Sequence, residues 1–173
     1  MGRDAMISTT WKTFNDLVML LSMAPKLHCC KLKSGGYRCL EDWSVNTGIL
    51  DRAGMVHGWE GKLLIELDNA GLLTMKKGYW WDGCSFIVID RETNMRAGGL
   101  HDELYHLCRT GDLDVDEIRQ PADLMFRAFH RVDGGWNWIG AIDYAGLRIG
   151  ARSAATRQPE IEAEHLVFGR TSA

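Results

Sequence analysis

The sequence has no long apolar segment. Its most apolar stretch, residues 17–24, is far shorter than the ~20 residues that a membrane-spanning helix requires. The first residues, Met-Gly-Arg-Asp-Ala-Met, also lack the basic and apolar parts of a secretory signal. We therefore expect no transmembrane segment, and we expect the protein to act in a cytoplasm.

The sequence also has no excess of positive charge. Lys and Arg number 20 against 23 Asp and Glu, which gives a formal net charge of −3. No segment collects basic residues into a stripe that could neutralise a run of phosphates. The charge distribution therefore argues against nucleic acid as a partner.

The cysteines lack the arrangement of a disulfide framework. There are five, Cys29, Cys30, Cys39, Cys84 and Cys108, and the first two are adjacent. An odd number with an adjacent pair does not suit such a framework, and the spacing does not match a metal site. We expect reduced thiols, because 173 residues can bury a core without disulfide or metal staples.

Prolines are scarce as well, at three, and no repeat or low-complexity segment divides the chain. The length fits one domain, since compact domains usually contain ~100–200 residues. We assign residues 1–150 to a single α+β domain and the polar, mixed residues 151–173 to a C-terminal tail.

The first half of the chain predicts a helix followed by a small antiparallel sheet. Apolar residues recur at helical spacing from residue 9 to residue 24, and Pro25 closes the segment. Between residues 26 and 90, short β-type runs alternate with turn signals. These signals contain glycine and lie at residues 34–36, 68–71 and 82–83.

From residue 96 onward the spacing again predicts helices. The first apolar stripe comprises Ala97, Leu100, Leu104 and Cys108, and the second comprises Ala122, Met125, Phe126 and Phe129. Pro121 occupies the favoured first position of the second helix, which residues 133–135 end. A third helix is predicted over residues 136–149. We expect the first two helices to pack antiparallel and to hold the site.

Four polar side chains stand out on these two helices. His101 lies half-sheltered at the edge of the first stripe, Tyr105 lies one turn further, and Asp102 points outward. Asp123 on the second helix should place its carboxylate about 2.6–3.2 Å from an imidazole nitrogen of His101, with the Tyr105 hydroxyl nearby. A carboxylate on one nitrogen fixes the tautomer and leaves the other nitrogen free to activate water.

These residues resemble the active-site helices of phospholipase A2, most closely the disulfide-free form in parvovirus capsid proteins. The motifs are His101-Asp102-x-x-Tyr105 and Ala122-Asp123-x-x-Phe126, and their separation also resembles that viral form. The resemblance implies that His101 is the general base and that Asp102 binds Ca²⁺. It also implies that Tyr105 and Asp123 support the histidine.

The resemblance further implies an upstream loop whose backbone oxygens bind the calcium. By position this loop is residues 81–85, with Trp81, Gly83 and Ser85 as the expected metal ligands. A glycine there would let the backbone turn toward a cation that prefers oxygen. The loop has fewer glycines than a phospholipase calcium loop, and residues 97–100 replace the cysteine pair of the secreted enzymes.

A second resemblance covers residues 72–150. The chain is similar to an uncharacterised protein family of tailed phages and prophages, through the successive motifs Asp82-Gly83-Cys84-Ser85, His101-Asp102-x-x-Tyr105, Ala122-Asp123-x-x-Phe126 and Tyr144-x-x-x-Arg148-x-Gly150. This resemblance implies a phage origin and no particular activity.

Other interpretations of the acidic and histidine residues stay open. The run Asp112, Asp114 and Asp116 resembles an EF-hand loop, but Glu117 stands where that loop requires glycine. A His-Asp metal phosphohydrolase would need further ligands, and His57 is the one plausible extra histidine upstream. His101 and Asp102 could also belong to an N-terminal helical turn, with Asp102 complementing the helix dipole.

The leading expectation is a phage-encoded viral protein that hydrolyses a carboxylic ester of a lipid, with Ca²⁺ as cofactor. The alternative is a non-catalytic phage structural or host-interaction protein in which the same residues form a structural network. The partner is a lipid in the first case and a phage or host protein in the second. The expected location is the host cytoplasm, with association with the virion as the alternative. The sequence leaves the oligomeric state open.

Overall fold

A computed structural model describes residues 7–33, 35–82, 95–135 and 144–145 of the chain. These residues form an N-terminal helix, two small antiparallel sheets and two packed helices, which confirms the predicted α+β class. The helices are α1 (Phe14–Ser22), α2 (Met95–Thr110) and α3 (Val115–Val132). The strands are β1 (Cys29–Lys31), β2 (Tyr37–Cys39), β3 (Trp43–Asn46), β4 (Gly54–His57), β5 (Leu63–Leu67), β6 (Leu72–Met75) and β7 (Trp80–Trp81).

Helix α1 begins later than the apolar pattern predicts. The Thr13 side chain accepts a hydrogen bond from the Asp16 N–H, and the Asp16 carboxylate accepts one from the Thr13 N–H. This reciprocal capping box fixes the start of the helix. Trp11 belongs to the preceding segment instead, where its indole N–H donates to the Thr47 carbonyl at 3.0 Å.

The strands form two sheets where the sequence predicts one. The first sheet has the order β1-β2-β7 and the second has the order β3-β6-β5-β4, with antiparallel neighbours throughout. Gly35 and Gly36, the described residues of the turn signal at 34–36, lie between β1 and β2, where the Gly35 N–H donates to the Leu32 carbonyl and the Gly36 carbonyl accepts from the Leu32 N–H. The signal at residues 68–71 joins β5 to β6, where the Asp68 carboxylate accepts from the Ala70 and Leu72 N–H groups. Both of these predicted turns are confirmed.

Helices α2 and α3 pack against each other and run antiparallel. Arg96 near the start of α2 pairs with Asp133 at the end of α3, whereas Tyr105 further along α2 contacts Asp123. On another side of α2, Gly99 allows a close approach of Met75 and Trp81. A Cβ atom on Gly99 would lie 3.1 Å from the Met75 methyl carbon, so a larger residue would crowd this contact.

Helix α3 begins six residues before Pro121, so the prediction that Pro121 is its first residue is wrong. The Asp114 carboxylate accepts hydrogen bonds from the Asp116 and Glu117 N–H groups and caps the helix there. Acidic residues in the first turn favour this start, because they complement the helix dipole. The cap and the packing of Ile118, which is fully buried, outweigh the backbone donor that Pro121 lacks.

Several predictions fall outside the described residues. These are the β-type run at 85–90, the tail at 151–173 and the third helix at 136–149, of which only residues 144–145 are described, as helical. Within the described part, none of the helices is long and apolar enough to cross a membrane.

Candidate functional site

Three of the predicted site residues meet between α2 and α3. His101 Nε2 lies 3.0 Å from Asp123 Oδ1, and the Tyr105 hydroxyl donates to the same oxygen at 2.9 Å. The spacing explains this meeting, since His101 and Tyr105 are four residues apart on one face of α2. The predicted contacts of Asp123 are confirmed, while the catalytic roles of the three residues stay predictions.

The site is buried more deeply than the half-sheltered position predicted for His101. His101 is 5% exposed, Tyr105 is 1% exposed, and Asp123 is fully buried. The imidazole packs against the Tyr105 ring at a centroid distance of 4.0 Å and against the edge of the Phe126 ring at 5.8 Å. Burial follows from the surroundings of α2, which has α3 on one side and the strands on another.

One donor and one acceptor beside the Tyr105 hydroxyl fix the direction of its proton. The side chain of Arg119, one turn before Asp123 on α3, also hydrogen-bonds to this hydroxyl. Arginine can only donate, so the Tyr105 oxygen accepts from Arg119 and its own proton goes to Asp123. Burial raises the pKa of Tyr105 far above its usual value, with the Asp123 charge adding to the effect, so the hydroxyl stays a donor.

The same hydrogen bonds select one form of the neutral imidazole. An ionised carboxylate only accepts, so the nitrogen of His101 that faces Asp123 must carry a hydrogen. Nε2 therefore donates to Asp123, and Nδ1 keeps its lone pair on the opposite edge of the ring. Burial lowers the pKa of His101, but Asp102 and Asp123 together outweigh it and raise the pKa above its usual value of 6.5.

Asp102 lies beside the open nitrogen of His101. The distance from His101 Nδ1 to Asp102 Oδ1 is 3.8 Å, which is too long for a direct hydrogen bond. The Asp102 side chain is only 18% exposed, so it is more buried than the outward orientation predicted for it. Burial raises the pKa of Asp102 to about 6, with the charge of Asp82 adding to the rise and His101 opposing it.

The predicted calcium ligands are only partly within the described residues. Gly83 and Ser85 lie outside them. Trp81 ends β7, and its carbonyl oxygen lies so close to Gly36 that a Cβ atom there would be 2.5 Å away. Asp82 follows directly, and its charge acts on Asp102. Two neighbouring carboxylates fit a hard divalent cation, which would offset their repulsion.

No group of three or more His, Cys, Asp or Glu side chains in the described part is arranged to hold a metal ion. The carboxylates of Asp82 and Asp102 would therefore need oxygen ligands from the backbone to complete a calcium site. The acidic run between α2 and α3 serves the fold instead. Asp112 accepts from the Met55 N–H at 3.0 Å, and Asp114 caps α3, which argues against the EF-hand interpretation.

Helix α2 does not begin at His101, so these residues are not an N-terminal turn. His101 and Asp102 lie well inside α2 (Met95–Thr110), and Asp123 lies in the third turn of α3. The dipole of a helix acts mainly on its first and last turns. The interpretation in which Asp102 complements the start of the helix is therefore wrong.

Sequence reasoning missed Glu103 and Arg119. Glu103 is fully buried, and neither of its carboxyl oxygens has a hydrogen-bond partner among the described residues. Burial raises its pKa well above the usual 4.5. A lone glutamate or arginine on a helix ordinarily predicts a solvated face. The spacing of Arg119, four residues before Asp123, was the one available signal of its role.

No protein-family model, curated protein or solved structure matches this chain. The phage-family and phospholipase A2 resemblances stay predictions from the residues, and the geometry described above carries the functional argument.

Proposed function

We propose that this protein is a phage-encoded, phospholipase A2-like hydrolase that cleaves a carboxylic ester of a lipid. One observation carries the proposal. Asp123 holds His101 through Nε2, while Nδ1 on the opposite edge of the ring faces Asp102 without a direct hydrogen bond to it. A neutral imidazole in this arrangement can accept a proton from water at Nδ1.

The proposed reaction uses His101 first as a base and then as an acid. Nδ1 takes a proton from a water molecule while the water oxygen attacks the ester carbonyl carbon, and the carbonyl oxygen becomes an oxyanion. Asp123 stabilises the resulting imidazolium, and the Tyr105 hydroxyl, which donates to Asp123, holds this carboxylate in place. On collapse of the tetrahedral intermediate, His101 returns the proton to the leaving alkoxide, which gives an alcohol and a carboxylic acid.

Asp102 would hold the calcium ion, together with Asp82 and backbone oxygens of residues 81–85. When bound, calcium supplies positive charge for the developing oxyanion. The chain's own part is to place Asp102 beside Nδ1 of His101, so that the attacking water and the cation share one side of the imidazole. The proposed place of action is the host cytoplasm or the virion.

A second candidate function is a non-catalytic phage structural or host-interaction protein. The deep burial of the network favours it, because the His101 side chain is only 7% exposed and the Asp123 side chain is fully buried. A satisfied polar network of this kind specifies how two helices pack, whether or not substrate reaches it. The two functions differ in whether water and an ester can reach Nδ1.

The test is hydrolysis of phospholipid vesicles by the full chain. We expect calcium-dependent release of fatty acid and lysophospholipid, detected by mass spectrometry, and loss of activity when calcium is chelated. Replacing His101 with Gln keeps much of the side-chain size but removes the base, so the rate should fall about 100-fold or more.

His106→Gln is the matched control. His106 lies on the same helix and is also buried, but it contacts Tyr79 instead of Asp123. This variant should keep the wild-type rate per folded molecule. If wild type hydrolyses no lipid under any condition, and if His101→Gln is as unstable as a variant that lacks a core side chain, the enzymatic function is contradicted. The network of His101 would then be structural.

A further inference from the structure

The β1–β2 hairpin places two cysteines directly opposite each other. Cys29 of β1 and Cys39 of β2 are partners in the antiparallel register, and Cys30 pairs with Arg38. Directly opposed residues point to the same face of a sheet, whereas neighbours along a strand point to opposite faces. Cys29 and Cys39 therefore share one face of the hairpin, and Cys30 lies on the other.

The backbone hydrogen bonds show which kind of pair these two cysteines form. Leu40 N–H donates to the His28 carbonyl at 2.9 Å, and Leu32 N–H donates to the Gly36 carbonyl at 3.0 Å. Hydrogen-bonded and non-hydrogen-bonded pairs alternate along an antiparallel ladder. Since the pair at residues 28 and 40 is hydrogen-bonded, the next pair, at residues 29 and 39, is not.

The backbone of Cys39 agrees with this assignment. Its N–H donates to the Tyr79 carbonyl and its carbonyl accepts from the Gly78 N–H, both at 2.9 Å, on the side away from β1. In a non-hydrogen-bonded pair the Cα atoms are ~4.5 Å apart and the side chains approach most closely. Disulfides span Cα separations of ~4.4–6.8 Å, so this backbone can accept a disulfide without rearrangement.

We propose that Cys29 and Cys39 are a redox modification site that forms a reversible cross-strand disulfide with small-molecule disulfides of the glutathione class. Both cysteines are free thiols in the structure. The Cys39 thiol donates to the Glu41 carbonyl at 2.8 Å, and this contact is given up when the disulfide forms.

The proposed reaction is two successive thiol–disulfide exchanges. The Cys29 thiolate attacks one sulfur of the small-molecule disulfide, forms a mixed disulfide and releases one small thiolate. The Cys39 thiolate then attacks the Cys29 sulfur and displaces the second small thiolate. The two cysteines lose two electrons and two protons, and the small-molecule disulfide is reduced to two thiols.

The surroundings of the two thiols assign the first attack to Cys29. Cys39 is 1% exposed, and burial raises its pKa to about 11, so the thiolate is scarce at neutral pH. Cys29 is half-buried, and burial raises its pKa less far, with Cys30 adding to the rise. The exchange should therefore be faster at pH 9 than at pH 7. Thiols of high pKa are poor leaving groups, so the disulfide should be reduced slowly once formed.

The disulfide would tie β1 to β2, the middle strand of the three-stranded sheet. The other neighbour of β2 is β7, which ends at Trp81 and is followed directly by Asp82. A disulfide constrains the unfolded chain and so stabilises the fold. For a short loop in a chain of this size, we expect the melting temperature to rise by about 5 °C or more.

The experiment treats the full chain with oxidised glutathione and then alkylates the remaining thiols after denaturation. Oxidised protein should keep three alkylated cysteines out of five. Trypsin cleaves after Lys26, Lys31 and Arg38, so the disulfide should join the peptide of residues 27–31 to the peptide of residues 39–52. Dithiothreitol should reverse both the cross-link and the rise in melting temperature.

Cysteine variants identify which residue of the first peptide is joined. Cys30→Ser should form the cross-link and show the higher melting temperature, whereas Cys29→Ser should do neither. Alkylation of all five cysteines in wild type after prolonged oxidation at pH 9 would overturn the proposal. A cross-link that persists in Cys29→Ser but disappears in Cys30→Ser would overturn it as well, because the register would then be different.

Discussion

Asp123 is the residue on which the candidate site depends. One of its carboxylate oxygens accepts from both His101 and Tyr105, and a buried carboxylate is stable only when it is hydrogen-bonded. The sequence could predict this contact, because His101 and Tyr105 share a helix face and the two helices are joined by a short link. The sequence could not predict that Glu103 is buried, because this burial depends on packing between elements that no local pattern reveals.

Glu103 gives a prediction about pH. Its pKa is raised by burial, with the charge of Asp102 adding to the rise, so the folded protein keeps its proton after the unfolded chain has lost it. Stability should therefore fall as pH rises above the unfolded value of 4.5, by about 1.4 kcal/mol per pH unit until the folded protein ionises. Glu103→Gln removes this loss, so its stability relative to wild type should increase between pH 4.5 and neutral pH.

Urea unfolding at pH 5 and pH 7 measures the effect. Asp16→Asn serves as the control, because the backbone of Thr13 and its side chain lower the pKa of Asp16 in the capping box below its usual 3.8. Its carboxylate loses its contribution to stability only as pH falls below that value, so the difference between Asp16→Asn and wild type should be the same at pH 5 and at pH 7. If the free energy of unfolding of Glu103→Gln differs from that of wild type by the same amount at pH 5 and at pH 7, the account of Glu103 is contradicted.

At the scale of elements, the sequence predicts correctly the helices and turns that have strong local signals. Glycine-containing turns placed two of the strand connections, and the apolar stripes placed α2 and α3. The sequence offers two candidate starts for α3, because proline favours the first helical position and aspartate favours the cap, and in the structure the cap at Asp114 determines where the helix begins. The division into two sheets was missed because β7, with only two residues, pairs with the distant strand β2.

The pairing of distant strands matters for the site. Register between β2 and β7 places Trp81 opposite Tyr37, and their rings stack at a centroid distance of 5.7 Å. This packing positions Asp82 near α2, where its charge acts on Asp102. No local pattern in residues 37–39 or 80–82 indicates that these strands meet, so the nearness of Asp82 and Asp102 could not be predicted.

At the scale of the whole molecule, α2 lies between α3 and the strands, and its polar residues therefore serve two interfaces. His101 and Tyr105 face α3, whereas His106 faces Tyr79 beside the first sheet. A cation that binds Asp102 and Asp82 would link α2 to the end of β7. Binding to the folded state alone should then stabilise the whole molecule.

Calcium should raise the melting temperature of the wild-type protein. At a hundredfold excess over Kd the stabilisation is about 2.7 kcal/mol, which corresponds to a rise of about 5–10 °C for a chain of this size. Asp102→Asn should abolish the rise, and Asp116→Asn should keep it. A calcium response that survives in Asp102→Asn and disappears in Asp116→Asn would place the cation in the acidic run between α2 and α3 instead.

The protonation of His101 tests the central claim most directly. Nitrogen-15 NMR of the labelled protein distinguishes a ring nitrogen that carries hydrogen from one that holds a lone pair. We predict that neutral His101 carries its hydrogen on Nε2, facing Asp123, and that its pKa lies above the usual 6.5. Hydrogen on Nδ1 in the neutral form would contradict the account, because the edge of the ring beside Asp102 would then hold no base.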